Sequence, residues 1–462
     1  MAASVSLRPP RLVYEAGAPS DCSVARRSRA GGAGRRQSAD PMRDQAAGHS
    51  ERHPRLGKHA KQHSVAGQPP RVTAGGDWTE DPEEAALAIA VRRSVARRQR
   101  WTARARLSGF TGLRRVAACG RVPLTDDGAV YLRARTGDDC KAGFGGLQTC
   151  GSVWACPVCS AKVSVVRIAE LDKLLQWNAE RGGSVAMATF TLRHNKGQRL
   201  KTVWDALSGA WTYMTQGRAA HDGPWRRLRV IELNGDGYVR ATEVTYGDNG
   251  WHVHIHLMML FDQEIDAMTA ECLADQLYKP WALGLEKHGF TASREHGVDV
   301  RVCTGTKQSL EMLSDYFNKM SYEAAGGRFK QGRKGGRTPF EILADGLDTG
   351  NADDLELWLE WEAASKGRRQ LLWSRGLKKR VGIDELDDEE IAAQKDEGET
   401  LLVLPRLSWQ QVWPIAVELL EATESGGIAG AMLWLDDRGV NYEIQGTSPC
   451  VGGGGPPDGR GS

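Results

Sequence analysis

The stretch Trp251-His252-Val253-His254-Ile255-His256-Leu257-Met258-Met259-Leu260 alternates imidazole and aliphatic side chains over its first half. In an extended strand successive side chains point to opposite faces, so His252, His254 and His256 share one face and Val253 and Ile255 the other. Imidazoles about 7 Å apart along a strand can converge on one divalent ion or one phosphate. A lone histidine reads as a satisfied core residue, but three in strict alternation do not.

Just upstream, residues 238–246 have strand character and Gly247-Asp248-Asn249-Gly250 supplies a turn, which predicts a hairpin. If Tyr246 opposes Trp251, then Thr245 faces His252, Glu243 faces His254 and Ala241 faces His256. Directly opposed side chains lie about 5 Å apart at Cβ, which nominates Glu243 as a further metal ligand. A slip of one residue would turn Glu243 to the other face.

Working outward, strands are expected at 185–193 and 298–303, and helices at 164–181, 200–218, 262–288 and 307–325. This alternation predicts an α+β domain with an antiparallel-containing sheet over 163–326. On the last of these helices Tyr316 and Lys319 share a face, three residues apart. A phenol is a weak nucleophile at neutral pH, and a metal or a nearby cation can activate it. Tyr316 is the candidate nucleophile and Lys319 its assisting cation.

Five of the nine cysteines fall between 119 and 159. Cys156-Pro157-Val158-Cys159 sets two thiolates one tight turn apart, as tetrahedral zinc requires, and Cys150 can add a third ligand. Either Cys119 or Cys140 supplies the fourth, and Cys119-Gly120 has the small, turn-forming neighbour of a metal knuckle. No apolar signal core is seen at the N-terminus, which argues against disulfides, and a redox pair needs a different strand–helix context. All-thiolate coordination leaves no open position, so this Zn²⁺ is expected to hold the fold.

The net charge of +3 hides an asymmetry. Residues 1–76 carry 13 Lys and Arg against 5 acids, and an arginine block runs from Arg92 to Arg115 without an acid among the charges. Such blocks meet polyanions first, although a solvated basic face reads the same way. Fifteen tryptophans against eight phenylalanines accompany 54 glycines, so the tryptophans look like GC-biased coding and not a base-stacking platform. No segment nears the ~18 apolar residues of a membrane span, so no membrane partner and a cytoplasmic location are expected.

The expected organisation is a disordered basic tail (1–76), an arginine-rich helix with the Cys-rich zinc region (77–162) and the α+β domain (163–326). A basic loop and helical segment (327–400), a small C-terminal unit (401–448) with a helix at 409–421 and a hairpin-like 431–444, and a flexible tail (449–462) follow.

Taken in order, these features resemble the rolling-circle plasmid replication initiators of high-GC Gram-positive bacteria, within the HUH endonuclease superfamily. Thr189-Phe190-Thr191-Leu192-Arg193-His194 is similar to the first family motif. Gly250-Trp251-His252-Val253-His254-Ile255-His256-Leu257 is similar to the second, and Tyr316-Phe317-Asn318-Lys319 to the third. The run from Cys150 to Lys162 resembles the plasmid family's cysteine signature, and that from Lys366 to Leu377 its basic segment.

The resemblance implies a fold of RNA-recognition-motif type and His254 and His256 as the principal pair for Mg²⁺ or Mn²⁺. It implies attack by Tyr316 on origin DNA, a 5′-phosphotyrosine link and a free 3′-OH for a host polymerase, with a host helicase as partner. It also implies DNA contacts from Arg328, Lys330, Arg333, Lys334 and Arg337, and from Arg368 and Arg369. One position departs: related initiators often place a glutamate four residues before the tyrosine, where this chain has Met312. Two rival readings remain, a histidine-triad nucleotide hydrolase and a zinc-knuckle DNA-binding regulator without catalysis.

Overall fold

Alternation in 250–261 builds the central strand of a five-stranded sheet. The computed structural model describes residues 82–135, 141–216, 223–228, 237–303, 336–394 and 398–445. The expected tails, Cys140, the 307–325 helix with Tyr316 and Lys319, and Arg328, Lys330, Arg333 and Lys334 lie outside the described residues.

Nine strands occur among them: β1 (Val130–Ala134), β2 (Ala142–Gly145), β3 (Ser184–Phe190), β4 (Tyr238–Gly247), β5 (Gly250–Phe261), β6 (Val298–Cys303), β7 (Leu371–Trp373), β8 (Glu399–Leu404) and β9 (Glu443–Ile444). They form two antiparallel sheets, ordered β6-β3-β5-β4-β7 and β2-β1-β8-β9. The protein is therefore mixed α and β with antiparallel sheets.

The β4–β5 register is the one read from the turn: Tyr246 opposes Trp251, Glu243 opposes His254 and Ala241 opposes His256. Pairing runs one step further, to Gly247 and Gly250, leaving a two-residue turn. Gly250 has φ 84°, a left-handed conformation that other residues adopt at a cost.

The two faces of the large sheet are covered differently. Val253, Ile255, Leu257, Met259 and Phe261 join a core completed by the helices Leu200–Thr215 and Ala267–Glu286. On the opposite face Met258 and Leu260 are buried beneath Leu171, Leu174 and Leu175 of the helix Pro157–Glu180, together with Leu377, Val381 and Ile383. The same face continues along β5 to His256, His254 and His252, which stay half-buried. Apolar cover ends where the imidazoles begin.

The second sheet joins segments far apart in sequence, because β8 pairs with β1. The segment expected as a separate C-terminal unit, 401–448, thus shares a sheet and a core with residues 130–145. Its hairpin-like 431–444 is a correction: the helix Ala416–Asp436 takes up its first six residues, and its end, Glu443–Ile444, pairs with β8 instead of folding back on 431–436. Ala431 and Leu435, four residues apart, are buried on one helical face, so the 3.6-residue period prevails there. The basic run 366–380 likewise contains an edge strand, β7, paired to β4.

The tryptophans are mainly structural. Trp154 meets Trp204 and Trp361 edge-on at 5.4 Å, and Trp361 stacks on Trp251 at 6.1 Å. The Trp361 indole N–H donates to the Trp154 carbonyl at 2.8 Å, tying the cysteine signature to the histidine strand. No helix among the described residues is long and apolar enough to cross a membrane.

Candidate functional site

Two clusters of possible metal ligands emerge among the described residues: Glu243 with His254 and His256, and Cys119 with Cys150, Cys156 and Cys159.

In the first, all ligand atoms lie within 4.8 Å of one another. Glu243 Oε2 is 2.7 Å from His256 Nε2, and His256 Nδ1 is 3.2 Å from the Thr189 hydroxyl on β3. When Nδ1–H donates to Thr189, Nε2 is the ligand nitrogen and faces the carboxylate. Burial pushes His254 down to about 4, so it is neutral at pH 7, the form a metal binds. Two imidazoles and one carboxylate leave coordination positions for a substrate oxygen, which suits a hard divalent ion. The residues present fit such an ion.

His252 goes elsewhere. The structure places its Nδ1 2.9 Å from His194 Nε2, with the two rings edge-on at 4.3 Å, and His194 Nδ1 lies 3.1 Å from the Asn249 carbonyl. His252 shares the strand face of His254, but its ring is turned to a partner on the segment after β3. Burial lowers both His194 and His252. Sequence reasoning assigned neither Thr189 nor His194 a role, although both lie in the 189–194 motif.

In the second cluster the four cysteines are buried and unoxidised. Cys119 Sγ lies 3.7 Å from Cys156 and 3.5 Å from Cys159, and Cys150 lies 3.7 Å from Cys159. A tetrahedron with ~2.3 Å metal–sulfur bonds has edges of about 3.8 Å, whereas a disulfide closes to about 2 Å. Hydrogen bonds from Cys150, Cys156 and Cys159 push the Cys119 thiol down, so negative charge is favoured there.

Arg104 supplies an independent observation. It is 6% exposed, its Nε has no hydrogen-bond partner, and it pairs with no carboxylate among the described residues. Its guanidinium lies over Trp101 at 4.1 Å and so close to Gly120, the residue after Cys119, that a Cβ there would collide with it. A buried unpaired cation is costly, and an anionic thiolate cluster beside it removes that cost. The donor set and this orphaned guanidinium both fit a soft divalent metal.

Several expected DNA-facing cations are engaged internally. Arg337 binds Asp354 at 2.7 Å and Asp345 at 3.3 Å. Arg368 binds Asp205 at 2.5 Å and lies over Trp204 at 4.6 Å. Within the Arg92–Arg115 block, Arg97 and Arg98 bind Glu424 and Glu421, Arg106 binds Asp348 and Arg115 binds Glu389. Arg369 is exposed.

A family model described as "Replication protein" matches residues 146–409. The chain belongs to this replication-protein family. The matched span holds the metal-ligand trio, Thr189 and three of the four clustered cysteines, while Cys119 and Arg104 precede it. "Protein rep" of Streptomyces lividans is 29% identical over 348 residues, covering 61% of this chain and 75% of that protein. "Neomycin resistance protein" of Streptomyces cyanogenus is 32% identical over 154 residues, covering 29% of this chain and 35% of that protein. No solved structure matches this replication-family chain.

Proposed function

We propose that this chain initiates plasmid replication by nicking one strand of origin DNA, with Tyr316 as nucleophile. The observation that carries the reading is the half-buried Glu243, His254 and His256 group at the end of the apolar cover on its sheet face, in a chain of the replication-protein family. The antiparallel sheet with helices suits an HUH-type core of RNA-recognition-motif kind.

Glu243, His254 and His256 would hold a Mg²⁺ or Mn²⁺ ion, whose chemistry there would be to polarise the scissile phosphodiester. The Tyr316 oxygen attacks phosphorus, a new P–O bond forms to the 5′ side, and the bond to the 3′ oxygen breaks. The tyrosine proton leaves and the departing oxygen takes one up, giving a free 3′-OH for a host polymerase, with a host helicase opening the duplex. Lys319, three residues on, offsets charge on the phosphate. Thr189 orients His256 and takes no part in bond making. The Cys119, Cys150, Cys156 and Cys159 group holds Zn²⁺ as a closed structural site.

The test is a 3′-labelled origin oligonucleotide incubated with the protein and Mn²⁺. A denaturation-resistant labelled band supports the reading. Hydrolysis of nucleotides without a DNA adduct supports a histidine-triad enzyme instead, and binding without cleavage supports a regulator.

A further inference from the structure

A cleft of about 1230 Å³ opens beside the large sheet. One wall is the stretch from Cys150 to Ala155 that leads into the Cys156–Cys159 turn, and another is the segment from Ser365 to Gly376 that contains β7. Small-molecule pockets run to about 1000 Å³, so this space suits a length of polymer better than a metabolite.

Its charge is selective. Eight cations and four acids line the cleft. Three of the acids are engaged: Asp387 caps the helix Asp388–Ala393, Asp388 binds Arg167, and Glu389 binds Arg115. Arg167, Arg115, Arg368 and Lys378 are the cations held in ion pairs. Arg114, Lys366, Arg369 and Arg375 are exposed and make no ion pair among the described residues. The unspent charge is thus four cations against Glu385.

The cleft also lies near the metal-ligand trio. Leu371, in its lining, pairs with Ala241, and Ala241 pairs with His256. Directly opposed residues of antiparallel strands share a face, so Leu371 stands two strand spacings, about 10 Å, from His256 on the same side. A smaller recess that Glu243 helps to line shares Val153, Trp154 and Gln370 with the cleft.

We propose that single-stranded DNA lies in this cleft, with Arg114, Lys366, Arg369 and Arg375 on its phosphates, and runs from it to Glu243, His254 and His256. The Cys150–Ala155 stretch of the cysteine region is then a wall of the DNA path as well as part of a staple of the fold. This deepens the nicking reading, on which it rests only for what happens where the strand meets the trio.

Binding is measured by fluorescence anisotropy with a labelled single-stranded origin 20-mer and its duplex, over a range of salt. The protein is full-length and carries His256→Ala, so cleavage does not interfere. Replacing Arg114, Lys366, Arg369 and Arg375 together by Gln is expected to weaken single-strand binding at least tenfold. It should also lower the log–log salt slope by about 3, at ~0.7 per phosphate contact. Lys287→Gln with Arg438→Gln, two exposed cations outside the cleft, should change neither. Because all four residues are exposed, an unchanged melting temperature is expected and confirms that the variant is folded.

Wild-type affinity and slope in the quadruple variant overturn the proposal, as does a loss confined to the duplex. Cleavage is scored separately in protein that keeps His256, at DNA concentrations below saturation. If it nicks normally with and without the four substitutions, the cleft is wrong and the nicking reading stands. If single-strand binding falls as expected but no nicking occurs in any form, the nicking reading fails and the cleft stands.

Discussion

Glu243 Oε2 lies 2.7 Å from His256 Nε2, although the residue directly opposite Glu243 on β5 is His254. The carboxylate therefore reaches diagonally along the strand, a reach of ordinary size for a long side chain in an antiparallel pair. A cation held by both groups would take the place of this contact between them. Glu243→Ala should raise the Mn²⁺ concentration for half-maximal nicking at least tenfold while single-strand affinity in metal-free buffer holds. Titration of nicking against Mn²⁺ gives the midpoint and anisotropy in metal-free buffer gives the affinity, and an unchanged midpoint would remove Glu243 from the ligand set.

Thr189 accepts from or donates to the other nitrogen of the same ring. Loss of an outer partner of a metal-bound histidine typically costs 10–100-fold in affinity or activity. Thr189→Val keeps the shape and removes the hydroxyl, so Mn²⁺ affinity should fall by that amount with the fold intact. Thr189→Ser should recover most of the loss. Calorimetric Mn²⁺ titration of the three proteins decides it.

The hairpin was legible because period-two alternation and one turn fix the register, and the register alone places Glu243 beside the histidines. Thr189 and His194 were not legible in role, since their partners His256 and His252 come from pairing between β3 and β5 and from a loop closing over the strand end. The CPVC spacing marked the knuckle, and Cys119 was one of two choices for its fourth member. Cys119 joins the cluster, but nothing in local sequence marked Arg104 as its buried neighbour. The arginine block read equally as a polyanion contact or a solvated face, and neither reading showed that Arg97, Arg98 and Arg106 are partnered by acids more than 200 residues away. Charge patterning sees density and not partners.

Those ion pairs are partly exposed, and such pairs contribute about 0–1 kcal/mol each. Arg98→Ala should therefore lower stability by less than about 1 kcal/mol and leave DNA affinity within twofold. A larger loss of affinity, seen in the same anisotropy assay, would restore the helix Pro82–Leu107 as a DNA contact.

The cysteine cluster makes a compositional prediction. The native protein should carry about one zinc per chain, and Cys156→Ser should release it and destabilise the protein, since binding to such sites is coupled to folding. Arg104→Leu should leave zinc bound but speed its transfer to a chelator, because the anionic site loses its buried counter-charge. Arg104→Lys should restore part of the difference. Elemental analysis gives the first result and a colorimetric chelator assay the second; equal transfer rates in all Arg104 forms would deny the counter-charge role.

The central claim is that Tyr316 becomes joined to DNA at a metal-assisted site. Trypsin separates the two nearby tyrosines, releasing Tyr316 in the peptide 308–319 and Tyr322 in 320–328. Mass spectrometry of the digested Mn²⁺-dependent adduct should find the nucleotide mass on 308–319, with no adduct from Tyr316→Phe. A nucleotide on 320–328, or an adduct formed by Tyr316→Phe at the wild-type rate, would contradict the account.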